Sequence, residues 1–316
     1  MKSAIKALVS RMSASSSTTA ATLAQVKEAG DVSRLLLGRL LANHVCEHGV
    51  YRDLQDSEFR VFSQFGDDGI LQYLIHQTEP PVKQFIEFGV QDYSEANTRF
   101  LLLNSNWRGL IIDADPANIE IVRKDPAFWR HDLQALAAFV TRDNVNTLFE
   151  QAGFEGEIGL LSVDIDGNDY WVWGAIDVVQ PVIVTMEYNS VFGAEFAITI
   201  PYDPAFSRTR AHLSNLYWGA SLPAMCRLGE MKGYSFVGCN SNGNNAHFVR
   251  RDRVGKIPIR GVKEGYVESR FRESRDESGK LTYVSGRTRI EAIKDMQVVD
   301  LERNALVYIR DMFGLG

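Results

Sequence analysis

Gln84-Phe-Ile-Glu-Phe-Gly-Val-Gln-Asp-Tyr93 decides the fold. Gln84–Phe88 is a short apolar run interrupted by one acid, Glu87, and Gly89 closes it. That is how a strand buried in a parallel sheet ends before the chain turns toward a helix. Runs of the same kind recur at Gly109–Ala114, Gly159–Asp164 and Val182–Tyr188, each followed by a segment long enough for a helix. The interval between the second and third runs is about twice the others, so the spacing predicts a further strand there, near Phe128–Leu133.

Upstream, Leu35, Leu36, Leu40 and Leu41 place an apolar stripe on a helix over Val32–Val45. A second helix starts near Asp67 or Asp68, acids suited to a helix N-terminus, and runs through Ile70, Leu71, Leu74 and Ile75 until Pro80. Downstream, Tyr234–Cys239 and Ala246–Arg250 read as strands joined through Asn240-Ser-Asn-Gly-Asn-Asn245. Asn and Gly tolerate positive φ, so the pair is a hairpin. The expected fold is α/β: a doubly wound, Rossmann-like, mostly parallel seven-stranded sheet ending in an antiparallel hairpin. N-terminal helices precede it and a C-terminal extension follows. The boundaries drawn from this pattern are 1–60 for a leader and helical extension, 61–250 for the domain built on the sheet and 251–316 for a basic extension or lid.

Composition agrees with one large globular unit: 316 residues, 45% hydrophobic and 23% charged, which excludes disordered, collagen-like and coiled-coil classes. No apolar run of about 18 residues suggests a membrane span. Three scattered cysteines do not form a disulfide framework or a zinc cluster, and a reducing, cytoplasmic compartment is expected. Of the 34 Lys and Arg and 40 Asp and Glu, residues 250–316 carry 15 and 11, leaving 19 and 29 for residues 1–249. An acidic body with a basic tail argues against nucleic acid as a partner. The first 27 residues contain Lys2, Lys6, Arg11 and Lys27, no acid, and a Ser/Thr/Ala tract at Ser13–Thr22. A transit peptide shares that composition, and a linker is the reading preferred here.

Four motifs carry chemistry. The Glu87-Phe-Gly89 turn lets the backbone approach a ligand, because glycine has no Cβ. Tyr93 stands where a second glycine is common, so the stretch is not GxGxxG and pyrophosphate is disfavoured. Asp113 ends the next strand 26 residues after Glu87, where such folds place the acid that holds ribose hydroxyls. Asp115 precedes Pro116 and reads instead as a helix N-cap.

Leu160-Leu-Ser-Val-Asp-Ile-Asp-Gly-Asn-Asp169 gathers three acids where a buried strand emerges at its carboxyl end. Three roles compete for Asp164, Asp166 and Asp169: ligation of a divalent cation such as Mg or Mn, general base catalysis, or helix capping by Asp169. An EF-hand does not fit, since Ala175 stands where its twelfth residue, Glu, belongs. Glu187 and Asn189 close the fourth run and face the same cleft, or Glu187 pairs with an arginine at the sheet edge. His247 is expected to be structural, and no nucleophile elbow, P-loop, CxxC or HExxH occurs.

Ser63-Gln-Phe-Gly-Asp-Asp-Gly-Ile70, Phe85-Ile-Glu-Phe-Gly89, Leu161-Ser-Val-Asp-Ile-Asp-Gly-Asn-Asp-Tyr-Trp-Val-Trp173 and Met186-Glu-Tyr-Asn189 together resemble FkbM-like class I methyltransferases. Gly219-Ala-Ser-Leu222, Gly233-Tyr234 and Asn244-Asn-Ala-His-Phe-Val249 fit a branch associated with polysaccharide biosynthesis. The likeness covers roughly residues 60–280. It implies S-adenosylmethionine bound through Glu87, Gly89, Asn97, Asp113 and Asp164, and O-methylation of a sugar or glycan-like hydroxyl. Asp164 or Asp166 would be the base, with Glu187 third, unless Asp164, Asp166 and Asp169 hold a metal that acidifies the hydroxyl. Trp171, Trp173 and Tyr217-Trp218 either stack on a sugar or adenine or fill the core. Glu268–Arg275 reads as a solvated loop or as a lid whose arginines grip an anionic acceptor. A homo-oligomer is left open.

Two other readings make different expectations. If Asp164-Ile-Asp166 is a DxD motif, the chain is a metal-dependent glycosyltransferase using a nucleotide-sugar. A non-catalytic relative would bind neither ligand.

Overall fold

The computed structural model describes residues 29–315 together with Thr22 and Val26. The leader reading of residues 1–27 therefore falls, those two residues apart, outside the described residues. Ten strands are described: β1 (Gln84–Phe88), β2 (Arg108–Asp113), β3 (Leu133–Ala137), β4 (Gly156–Val163), β5 (Val179–Glu187), β6 (Ile198–Thr199), β7 (Tyr234–Cys239), β8 (Asn245–Arg250), β9 (Gln297–Asp300) and β10 (Ala305–Tyr308).

Seven of them form one sheet in the order β3-β2-β1-β4-β5-β8-β7. β1 to β5 run parallel, and β8 is antiparallel to both β5 and β7. This is the expected sheet, with its hairpin at one edge. Because side chains alternate across a strand, neighbouring residues feed different layers. Phe85, Ile111, Leu160 and Ile183 pack with Ile70, Leu71 and Leu74 of the helix Asp67–Thr78. Ile86, Ile112, Leu161 and Val184 pack with Val172 and Trp173 of Asp169–Ala175 and with Met225 and Leu228 of Leu222–Met231. Each such buried side chain stabilises the fold by about 1.5–3 kcal/mol.

The strand expected near Phe128–Leu133 lies later, at Leu133–Ala137. Asp125 takes the earlier part for a helix: its carboxylate accepts the Ala127 amide and Pro126 occupies the first turn of Pro126–Arg130. Helix covers 29–48 among the described residues and contains the predicted stripe, but Leu36, Leu37, Leu40 and Leu41 are exposed while Ala42 and Val45 face the protein.

A second sheet, β10-β9-β6, was not foreseen. Between β5 and Leu222–Met231 the chain makes an excursion containing β6, Ile200, Leu216 and Tyr217, and these pack on Ile290, Ile293, Val298 and Ile309 from the C-terminal residues. The excursion and the C-terminal residues thus stand together beside the carboxyl ends of β4 and β5.

Candidate active site

The carboxyl ends of β1, β2, β4 and β5 open into a cavity of about 430 Å³. β1 and β4 are adjacent, and from them the sheet grows outward in both directions, which makes their junction the switch point where open α/β sheets bind ligands.

Gly89 closes β1 with φ +68°, and a Cβ there would lie 1.8 Å from the Asp164 backbone oxygen. The close approach read from the sequence is thus first an approach of β1 to the end of β4, with the cavity beyond it. Gln91 and Tyr93 both adopt positive φ as the chain turns away. Tyr93 therefore keeps the backbone conformation a glycine would favour, and its buried hydroxyl bonds Thr98 Oγ1 at 2.9 Å. It does not line the cavity.

Glu87 points beneath the cavity floor. Its oxygens accept the backbone amides of Asn97 (2.8 Å) and Thr98 (3.0 Å) and the Thr98 hydroxyl. Burial pushes its carboxyl up to about 7, opposed by those donors. Asn97 is held to Ser162 Oγ at 3.1 Å. Glu87 and Asn97 thus brace the turn, and neither reaches the cavity lining.

Asp113 does line the cavity. Its Oδ1 accepts the Asp115 amide (2.9 Å) and Asn118 Nδ2 (3.1 Å), and its Oδ2 accepts the Gln91 amide at 2.7 Å. A carboxylate offers about four acceptor directions, so Oδ2 keeps one for a ligand. Asp115 caps Pro116–Lys124 by accepting the Ala117 amide at 2.9 Å, as expected. Ile112, Ala114, Ala138 and Phe139 beside Asp113 give this part of the cavity an apolar lining.

The acid motif separates into three environments. Asp169 is fully buried, and its oxygens accept the amides of Ile165 (2.8 Å) and Gly167 (2.9 Å), closing the loop at the start of its helix. Burial raises its carboxyl to about 6 against those two donors. Asp166, 59% exposed, turns outward onto Arg208 at 2.7 Å. Asp164 faces Glu187, which follows from the register: Val163 of β4 lies beside Met186 of β5, so the next residues emerge together. The tentative metal trio is therefore corrected: the three carboxylates do not converge, because Asp169 is spent on backbone amides and Asp166 on an arginine. Among the described residues no group of three or more His, Cys, Asp or Glu is arranged to hold a cation.

Asp164 and Glu187 form an acid pair. Two buried carboxyls side by side cannot both ionise without cost, so this arrangement favours one shared proton. Burial first, then the neighbouring carboxylates, pushes both groups up, Glu187 well above the usual carboxylate range. Glu187 is 9% exposed, and its Oε2 has no hydrogen-bond partner in the protein.

Arg208, invisible as a site residue in the sequence, stands over the Trp218 ring at 4.8 Å, donates to the Asn215 carbonyl at 2.8 Å and reaches Glu273 at 3.7 Å. Trp218, Phe206 and Phe271 give that wall aromatic faces. The other aromatic candidates serve elsewhere: Trp173 is core, Trp171 donates to the Ile200 carbonyl, and Tyr217 packs between the excursion and the C-terminal residues. Asn189 also borders the cavity, donating to the carbonyls of Leu216 and Trp218 at 2.9 Å each and so tying the excursion to β5.

The Ser63–Ile70 motif is scaffolding. Asp68 Oδ2 accepts the amides of Val61, Phe62 and Ser63 and the Ser63 hydroxyl. Asp67 accepts from Asn240 and Asn245 and lies 3.3 Å from His247 Nε2, while His247 Nδ1 meets Thr185 Oγ1. His247 is structural, as expected. The knot brings Gln64 and Phe65 to the cavity rim.

No family model matches the sequence, and no curated protein does. Among solved structures, the chain is similar to an O-methyltransferase from Bacillus cereus in complex with SAH, at TM-score 0.38 and 14% identity, covering 68% of this chain and 89% of that one. A S-adenosylmethionine-dependent methyltransferase from Clostridium acetobutylicum overlaps at TM-score 0.35 and 9% identity, over 56% and 87%. PKMT2 from Rickettsia typhi in complex with AdoHcy overlaps at TM-score 0.38 and 9% identity, over 65% and 56%.

Proposed function

We propose that the chain is an S-adenosylmethionine-dependent methyltransferase acting on a hydroxyl, with a sugar or glycan-like acceptor. The observation that carries this reading is that Asp113 and the Asp164–Glu187 pair line one cavity, on opposite sides of the β1–β4 switch point. Strands in a sheet lie about 4.8 Å apart, so Asp113 and Asp164, two strands apart, are spaced to hold the two ends of an extended nucleoside ligand. Asp113 Oδ2 has the spare acceptor direction that a ribose diol uses, and the apolar lining at Ile112 and Ala138 suits adenine. The residues present therefore fit the cofactor.

When bound, S-adenosylmethionine supplies an electrophilic methyl group. The chain supplies alignment and a proton acceptor. Gly89 lets β1 close against the end of β4 and so shapes the mouth of the cavity, and Trp218, Phe206 and Phe271 offer faces on which a sugar ring stacks. A pair that holds one proton keeps a single negative charge, and that carboxylate, on Asp164 or Glu187 at the cavity lining, takes the hydroxyl proton. The likeness of the motifs to FkbM-like enzymes supports the sugar-like acceptor. The DxD reading finds less support, since Asp166 is engaged by Arg208.

The test is release of S-adenosylhomocysteine when the protein is incubated with S-adenosylmethionine and a panel of mono- and oligosaccharides. Turnover that falls by about 10²–10⁴ in Glu187→Gln, with cofactor affinity kept, is the expected result. Turnover unchanged by that substitution would remove the acid pair from the chemistry.

A further inference from the structure

The wall facing the acid pair contains a cation that neither the sequence motifs nor the proposed chemistry uses. Arg289 borders the cavity from the short helix Arg287–Ala292, and it is 4% exposed. Its Nη1 donates to the Ser269 carbonyl at 3.0 Å and its Nη2 to Glu268 Oε1 at 2.7 Å. Its Nε has no partner in the protein. The counterion is placed differently: the Glu268 side chain is 59% exposed, so water screens the carboxylate while the guanidinium is enclosed. A buried cationic N–H without an acceptor is costly, and it is well matched to a carboxylate or phosphate oxygen. Ser190 stands beside it at the end of β5, also on the cavity, its hydroxyl accepting the Ser269 amide at 3.1 Å.

The remaining charges of the cavity are already compensated. Asp166 and Glu273 are engaged by Arg208, and Glu273 also by Arg275 at 3.1 Å. Asp113 accepts three donors, and burial with the neighbouring carboxylates disfavours charge on Asp164 and Glu187. Arg208 for its part is charge-balanced by Asp166 and Glu273 and held by the Asn215 carbonyl. Within this lining Arg289 is the guanidinium whose Nε is buried without an acceptor.

We propose that Arg289, with the Ser190 hydroxyl beside it, is the subsite for an anionic group carried by the methyl acceptor, so that the substrate class is an acidic or phosphorylated sugar. That the anion belongs to a methyl acceptor rests on the methyl-transfer reading; the anion subsite at Arg289 does not. The sequence places such a grip in the arginines of Glu268–Arg275; the buried residue is further along the chain, and that stretch contributes its Ser269 carbonyl and Glu268 carboxylate instead.

The experiment is ligand-observed NMR and calorimetry with D-glucuronate, D-glucose 6-phosphate and D-glucose, on the full chain with and without S-adenosylhomocysteine. At least one of the two anions should bind about tenfold more tightly than glucose, and the preferred one identifies the group as carboxylate or phosphate. Arg289→Gln should erase that preference while S-adenosylhomocysteine binds as before. Glu268→Gln, a surface substitution that removes the competing counterion, should tighten the anion about threefold or more. Anions that bind no better than glucose, to both the wild type and Glu268→Gln, would overturn the subsite. So would a preference that survives in Arg289→Gln. Failure of S-adenosylhomocysteine to bind would count against the methyl-transfer reading alone, because the comparison of anion with glucose is read without it.

Discussion

Gly89 and Asp164 come from strands that are neighbours in space and far apart in the chain, and the α-carbon of one sits so near the carbonyl oxygen of the other that a Cβ would intrude to 1.8 Å. The contact fixes the mouth of the cavity, since the same two residues end the strands on either side of the switch point.

Gly89→Ala should therefore be severe. The added methyl meets backbone, which cannot rotate away, and φ is +68°. A loss of at least about 3 kcal/mol in urea unfolding is expected, from the clash and the left-handed conformation together. A loss below about 1 kcal/mol would mean that β1 and β4 can separate without cost.

Asp113→Ala tests the nucleoside end. Binding of S-adenosylmethionine should weaken by about 1–3 kcal/mol, the cost of leaving polar groups unpaired. Circular dichroism would confirm the variant is folded, because Asp113 also holds the amides of Gln91 and Asp115. Unchanged affinity would take Asp113 out of the site.

Glu87 makes stability depend on pH. Its folded-state carboxyl lies near 7, above the ordinary value of 4.5, because burial disfavours the charge. The folded protein then binds a proton that the unfolded chain has lost, so stability falls as pH rises from about 4.5 to about 7. Asp169, raised to about 6, acts in the same direction. The Glu87 contribution is on the order of 3 kcal/mol. Urea midpoints measured between pH 5 and pH 8 should decline for the wild type and decline less for Glu87→Gln. Equal slopes for the two proteins would show that Glu87 is not the group responsible.

The parts of this structure that the sequence reveals are those written in long-lived physical patterns. β1, β2, β4 and β5 are mostly apolar runs without a polar side, because a strand covered on both faces has none to show. β3 is legible only by spacing, since Leu133-Gln-Ala-Leu-Ala137 is half polar or small and lies at the sheet edge. β6 escapes because two residues carry no periodicity and its partner β9 is about a hundred residues away.

Site residues divide the same way. Asp113 and Asp164 are found because strand ends announce them. Asp169 misleads: a carboxylate that closes a loop onto two amides looks, in sequence, like one that waits for a metal. Arg208 and Arg289 are missed because an arginine in a polar loop is ordinarily solvated, and only the packing of the excursion against the C-terminal residues encloses them.

The central claim is that this cavity holds S-adenosylmethionine, and calorimetric titration of the purified protein with S-adenosylmethionine and then S-adenosylhomocysteine tests it most directly. The account predicts one-to-one, micromolar binding of both, weakened in Asp113→Ala and indifferent to added Mg. A folded protein that binds neither would contradict it.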